Sequence, residues 1–284
     1  LFQNSNYKKF FYSVQESILA VSYQFRILGC GSSGGVPRVG FGWGNCDPMN
    51  KKNRRLRCSL LVERTTSSKK TTVLIDTGPD MREQLLEAKV TNLDAVLYTH
   101  SHADHVHGID DLRTLAYRKK EKIPVWADKI TQERLLQGFS YIFQTPIKSN
   151  YPPICSLNLI KAKDVKVQGA GGEITFRPLS VNHGDIESLG FKIDKLAYIP
   201  DVLNIPLASW KELENLDILI IDALRRDPHP SHTHLEKTLH WLKKLDPKRA
   251  ILTNLHNDLD YSELKKELPK NVEPAFDGLE VKLK

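Results

Sequence analysis

The chain has 284 residues and a formal net charge of +7, with 40% apolar and 26% charged side chains, 16 Gly and 15 Pro. This composition excludes a disordered or fibrous chain, and the length is enough to bury a sizeable core. No run approaches the roughly 20 apolar residues of a membrane-spanning helix, so a soluble protein with no membrane partner is expected.

Residues 1–23 place Lys8 and Lys9 ahead of FFYSVQESILAVSY, where Gln15 and Glu16 interrupt the apolar stretch and no small-residue cleavage pattern follows. A secretory signal is not expected, the protein is placed in the cytoplasm, and this lead is set apart as an N-terminal extension. From residue 24 to 284, short β-rich runs alternate with helical ones, as in a single α/β domain. The predicted strands are QFRILG, CSLLVE, TVLID, DAVLYT, IPVWA, GFKI, LAYIP, DILIID, RAILTN and LEVKL. Helices are predicted over MREQLLEAK, DDLRTLAYRKK, QERLLQGF, WKELENL, HLEKTLHWLKKL and YSELKKEL. In the fifth of these, Leu235, Leu239, Leu242 and Leu245 recur at helical spacing.

Residues 50–70 carry eight basic side chains, among them Arg54, Arg55, Arg57, Lys69 and Lys70, against the single Glu63. Such a patch suits an anionic partner, such as a phosphate ester or RNA, and equally describes a solvated loop. Cys30, Cys46, Cys58 and Cys155 form no CxxC pair and read as reduced, mostly structural residues.

The chemistry concentrates in the histidines, all ten of which follow residue 99. Directly after DAVLYT stands His100, Ser101, His102, Ala103, Asp104, His105. In an extended segment residues two apart point the same way, so His100 and His102 can ligate one ion while Asp104 and His105 turn toward a neighbour as a helix begins. Imidazoles and carboxylates without thiolates suit zinc or manganese, and iron is also compatible.

HSHADH resembles the signature of the metallo-β-lactamase fold, an α/β four-layer αββα sandwich with metal at one edge. The other slots of that family are filled in order by Asp76 in LIDTGPD, His183 in PLSVNHGD, Asp201 in LAYIPD and His256 in AILTNLHND. The resemblance implies two divalent metal ions per chain: His100, His102 and His183 on one, Asp104, His105 and His256 on the other, with Asp201 bridging. It also implies that Asp76 accepts a ring N–H from a ligating histidine and fixes its orientation.

FRILGCGSSGGVPRVG, NRRLRCSLLVE, HSHADHVHGIDDLR and AFDGLEV, together spanning about residues 24–284, resemble the phosphoribosyl 1,2-cyclic phosphate phosphodiesterases. The activity implied is hydrolysis of a small cyclic phosphate ester by a hydroxide held between the ions, which Asp104 and Asp201 would orient. His232 occupies the slot of a catalytic proton donor, with His234 two positions on as the alternative. The backbone around Ser32 and Ser33 is a candidate anion cradle. Arg113, Arg38, Arg55 and Arg57 are candidates for holding a second phosphate. A tRNA 3′-processing endonuclease and a metal-bearing carrier of the quinone-cofactor type are the competing readings. Nucleic acid is not the expected partner, and relatives imply a homodimer.

Overall fold

The computed structural model describes residues 21–283. The predicted extension, apart from its last three residues, lies outside that range. One seven-stranded sheet carries β1 (Val21–Gly29), β2 (Ser59–Thr66), β3 (Lys69–Ile75), β4 (Ala95–Leu97), β5 (Ile123–Ala127) and β6 (Cys155–Leu159). The other carries β7 (Val165–Gly169), β8 (Gly172–His183), β9 (Ile186–Ile193), β10 (Leu196–Ile199), β11 (Ile218–Asp222), β12 (Arg249–Thr253) and β13 (Val272–Pro274). A last strand, β14 (Glu280–Leu283), returns to the first sheet beside β1. The helices are α1 (Met81–Glu87), α2 (Ala103–Val106), α3 (Arg113–Lys119), α4 (Lys129–Phe143), α5 (Leu207–Glu212), α6 (Leu235–Leu245) and α7 (Tyr261–Glu267).

Three buried apolar clusters give the four layers. Alternation along β2 sends Leu60 and Val62 inward and Leu61 outward. The inward set, with Phe25, Ile27, Val73 and Ile75, meets Phe176, Phe191, Tyr198, Ile220 and Ile251 of the second sheet. Leu61, Leu74 and Val96 pack outward with Met81, Leu85, Leu112 and Leu135. Leu219, Ile221 and Leu252 do the same with Trp241, Leu242, Leu245 and Leu264. The strands ILIID and LAYI are buried at every position, as parallel strands covered on both faces must be.

Strands β3 to β6 are parallel, as are β10 to β13, so their carboxyl ends gather along one edge of the sandwich. Two of those ends turn sharply. Asp76 after β3 and Asn254 after β12 both take left-handed φ, 65° and 60°, a conformation Asp and Asn tolerate.

The structure refines two expectations and bears out a third. Val21–Tyr23 belong to the fold rather than to an extension, pairing with Thr66, Thr65 and Arg64 on β2. Their half-open positions left no alternation to read. The basic segment is divided: Lys51, Arg54 and Lys69 are exposed, whereas Arg55 is 1% exposed and gives its guanidinium hydrogens to the carbonyls of His256 and Leu259. Arg64 bonds the Gly171 carbonyl, Lys70 pairs with Glu63, and Lys52 lies over the rings of Tyr261 and Phe276. All four cysteines are buried and free.

Asp277 clamps the glycine-rich segment to the sheet, accepting from the backbone N–H groups of Cys30 and Leu56 at 3.0 and 2.7 Å. Burial pushes its carboxyl up to about 7 despite those bonds. A carboxyl raised on folding holds its proton more tightly in the folded chain, so stability declines as pH rises from about 4 through about 7, by about 4 kcal/mol in all. Urea midpoints compared at pH 5 and pH 8 should show this decline and a flatter profile in Asp277→Asn. Equal slopes in the two proteins would refute the assignment.

Candidate metal centre

Several strand ends on the gathered edge contribute side chains. His100 and His102 follow β4, and His105 sits in α2. His183 closes β8, Asp201 follows β10, Asp222 closes β11, and His232 stands in the loop behind it. Three sets converge within 4.8 Å: His100, His102 and His183; His100, His105 and Asp201; and His183, Asp201 and His232. Asp201 belongs to two of them.

The imidazoles are turned by their Nδ1 bonds. His105 gives its Nδ1 hydrogen to Asp76 Oδ2 at 2.8 Å, leaving Nε2 at 3.3 Å from both Asp104 Oδ2 and Asp201 Oδ2. His183 gives its Nδ1 hydrogen to the Ser231 carbonyl at 2.7 Å. That approach needs Gly184, at φ 70°, where a Cβ would come within 2.8 Å of Ser231 Cβ. His100 Nδ1 faces Thr99 Oγ1 at 3.0 Å, and Thr99 in turn donates twice to Asp76. His183 Nε2 then lies 3.3 Å from His102 Nδ1, two ring nitrogens aimed at one region.

Charge follows the same layout. Burial holds His100 well below the usual imidazole range, with the His105 charge adding to it, and burial also lowers His102 and His183. These rings stay neutral, the form a metal requires. Burial works against charge on His105 too, but Asp201, Asp104 and Asp76 outweigh it and raise its pKa. Asp201 is 2% exposed; burial opposes its charge, and His105 and His100 reverse that and hold it well below the carboxylate range.

Two atoms decide whether this arrangement fits a cation. His100 Nε2 and Asp201 Oδ2 are buried and have no hydrogen-bond partner among the described residues. An unpaired buried donor set costs stability unless something satisfies it, and a divalent ion with imidazole and carboxylate ligands does so.

His256 belongs to none of these three sets. Its Nδ1 hydrogen goes to Asp258 Oδ1 at 3.0 Å and its Nε2 meets an Arg38 nitrogen. Asp104 reaches the cluster through His105. Of the two histidines in SHTH, the structure brings His232 into the site, whereas His234 caps α6. His232 Nδ1 donates to Asp222 Oδ2 at 2.8 Å. Burial alone would lower its pKa, but Asp222, then Asp201 and Asp104, raise it to about 9. The ring of His229 lies 5.1 Å from that of His232, and burial together with the His232 charge pushes it down to about 4.

Ser33 lines a pocket beside Asp104, and Ser32 Oγ is buried with no partner. Arg113 is not brought to the cluster. Asp110 holds its guanidinium at 2.6 Å, with Tyr117 and Tyr141 beside it, in the outer helical layer.

Sequence reasoning missed Asp222. The signal for Asp222 was present, since DILIID ends a strand on Asp as LID does.

The model for the beta-lactamase superfamily domain matches residues 71–254. The chain belongs to this superfamily. The crystal structure of a diphosphatase from the PhnP family is 34% identical, superposes with a TM-score of 0.83, and covers 93% of this chain and 98% of its own. That match assigns the chain to the PhnP-like group of metallo-β-lactamase-fold hydrolases. The zinc-bound PqqB of Methylobacterium extorquens shares the fold at 17% identity and TM-score 0.69, over 91% of this chain and 99% of that one. An octanoyltransferase of Porphyromonas gingivalis is 35% identical over 89% of this chain and 50% of its own length. The chain spans half or less of the curated relatives it matches.

Within this superfamily fold, the buried Asp76 carboxylate sets which His105 nitrogen faces the centre. Asp76→Asn places an amide N–H opposite Nδ1, removes the charge and favours the wrong tautomer. Metal affinity, measured by chelator competition, should fall by about 10- to 100-fold while circular dichroism shows the fold retained. Unchanged affinity would refute the role.

Proposed function

We propose that the chain is a metal-dependent phosphodiesterase acting on a small phosphate ester, with a five-membered cyclic phosphate on ribose as the leading substrate. The observation that carries this reading is His232. It is partly buried beside Asp201, and Asp222 accepts from its Nδ1 and favours the imidazolium, whose Nε2 then has a proton to give. A phosphodiester hydrolase needs such a donor for the leaving oxygen.

In this reading His100, His102, His183 and Asp201 would hold one ion, and His105, Asp104 and Asp201, with His256, would hold the second. Bound zinc or manganese supplies positive charge to the phosphoryl oxygens and acidifies water. The chain's own groups do the rest. Asp201 and Asp104 orient the attacking water as its oxygen bonds to phosphorus. As the phosphorus–oxygen bond to the leaving group breaks, His232 passes its Nε2 proton to that oxygen, and Asp222 stabilises the imidazolium beforehand.

The similarity to a diphosphatase of the PhnP family favours a second reading: the scissile oxygen joins two phosphorus atoms. The same residues serve both, because each reaction displaces oxygen from a tetrahedral phosphorus.

Phosphorus NMR of the manganese-loaded protein separates the two. Samples of 5-phosphoribosyl 1,2-cyclic phosphate, 2′,3′-cyclic nucleotides and a nucleotide diphosphate are run beside a metal-stripped control. Ring opening that requires metal supports the leading reading, cleavage of the diphosphate alone supports the second, and turnover of none would contradict both and favour a carrier role. His232→Ala should lower kcat by about 10² or more with metal content unchanged. Unaltered turnover would remove His232 from the mechanism.

A further inference from the structure

The loop between β11 and α6 carries three histidines, and the phosphodiester reading uses one of them, His232. His229 stands half-buried in the same loop, its ring 5.1 Å from that of His232. Several groups hold this stretch in place. Arg225 donates to the carbonyls of Asp227 and Pro228 at 3.1 and 2.7 Å. Arg226 pairs with both carboxylate oxygens of Glu267, and its backbone N–H donates to Asp258 at 3.0 Å. Pro228 and Pro230 flank His229 and restrict its backbone.

Ser231 decides what the His229 ring can do. Its backbone N–H donates to His229 Nδ1 at 3.3 Å, and its hydroxyl lies 3.2 Å from the same nitrogen. A nitrogen that accepts carries no hydrogen, so the hydrogen of the neutral ring is on Nε2, which has no partner among the described residues. The Ser231 carbonyl meanwhile accepts from His183 Nδ1 at 2.7 Å, which sets the His229 ring in register with the cluster. His232 is arranged the opposite way, with Nδ1 donating to Asp222. Two neighbouring imidazoles thus have different capacities. His232 can release a proton, whereas His229 can donate a hydrogen bond and keeps its hydrogen, since losing it would leave an anionic ring.

We propose that His229 is a second substrate-contacting residue, whose Nε2 hydrogen binds the leaving group while His232 protonates the leaving oxygen. The proposal rests on the phosphodiester reading. The acceptor is an oxygen on a carbon adjacent to the one bearing the leaving oxygen, because the two rings stand side by side and reach neighbouring atoms of one group. A ribosyl group offers such oxygens, and a 4-nitrophenyl group has none beside its phenolic oxygen. His229 thereby makes the site selective for leaving groups with vicinal oxygens, of the kind a sugar supplies.

The test has two arms on the metal-loaded protein. Steady-state kinetics compare 5-phosphoribosyl 1,2-cyclic phosphate with bis(4-nitrophenyl) phosphate, and calorimetry measures ribose 1-phosphate, which keeps the sugar oxygens after ring opening. His229→Ala should lower the ratio of kcat/KM, sugar ester over aryl ester, by roughly three- to tenfold and weaken ribose 1-phosphate binding by a similar factor. His229→Gln, whose amide still donates, should recover most of both. An unchanged ratio would overturn the proposal, including the case in which both esters slow equally, as they would if His229 only held Ser231 and His183. Turnover of neither ester by wild-type protein would count against the phosphodiester reading. The calorimetric arm then decides the contact alone, and an affinity that is absent or indifferent to His229→Ala overturns it.

Discussion

Asp201, a carboxylate shut off from water, is where the requirements of this fold and of its chemistry meet. A lone buried carboxylate costs several kcal/mol unless neighbours compensate it. Compensation comes from three imidazoles: His105 of α2 at 3.3 Å, and, slightly farther, His183 at the end of β8 and His232 in the loop after β11. Those rings can gather because the parallel strands of both sheets end along one edge, and that edge exists because two apolar faces must pack together. The same packing that removes the strands from water therefore assembles a charged pocket at their ends. Strain and unmet hydrogen bonds collect there too, in the left-handed Asp76 and the unpartnered His100 Nε2 and Asp201 Oδ2.

Around this centre, a second set of residues fixes the loops that carry no metal chemistry. Arg55 gives its guanidinium to the backbone just after His256, and Asp277 ties Cys30 to Leu56. Together they hold the glycine-rich segment between the two sheets, next to the cluster. Asp222 does the same for His232 through one hydrogen bond and for Val202 through its backbone N–H. These loops beside the site are thus positioned in part by buried polar groups.

Much of this was legible in the sequence. HSHADH carries its chemistry in adjacent residues, and the buried strands LAYI and ILIID are unbroken apolar runs, so fold and cluster could be read together. What could not be read depends on partners distant in the chain. Strands β6 and β7 lie at sheet edges; the apolar–polar alternation of CSLNL and VKVQG was their signal, over only five residues each, and it was passed over. Arg113 and Arg57 have the same chemistry on paper. Only the fold shows that Asp110 occupies the open edge of one, while Asp80 leaves that of the other free. Asp222 was passed over because an acidic residue ending a strand is common, and its meaning depends on His232 returning to it.

The account stands on the cluster being a cation site. Anomalous diffraction from crystals grown with zinc or manganese, collected at the metal edge, tests that directly. The predicted result is a peak within coordinating distance of His100 Nε2, His183 Nε2 and Asp201 Oδ2. A map with no peak there, and with those three atoms bonded to ordered water instead, would contradict it.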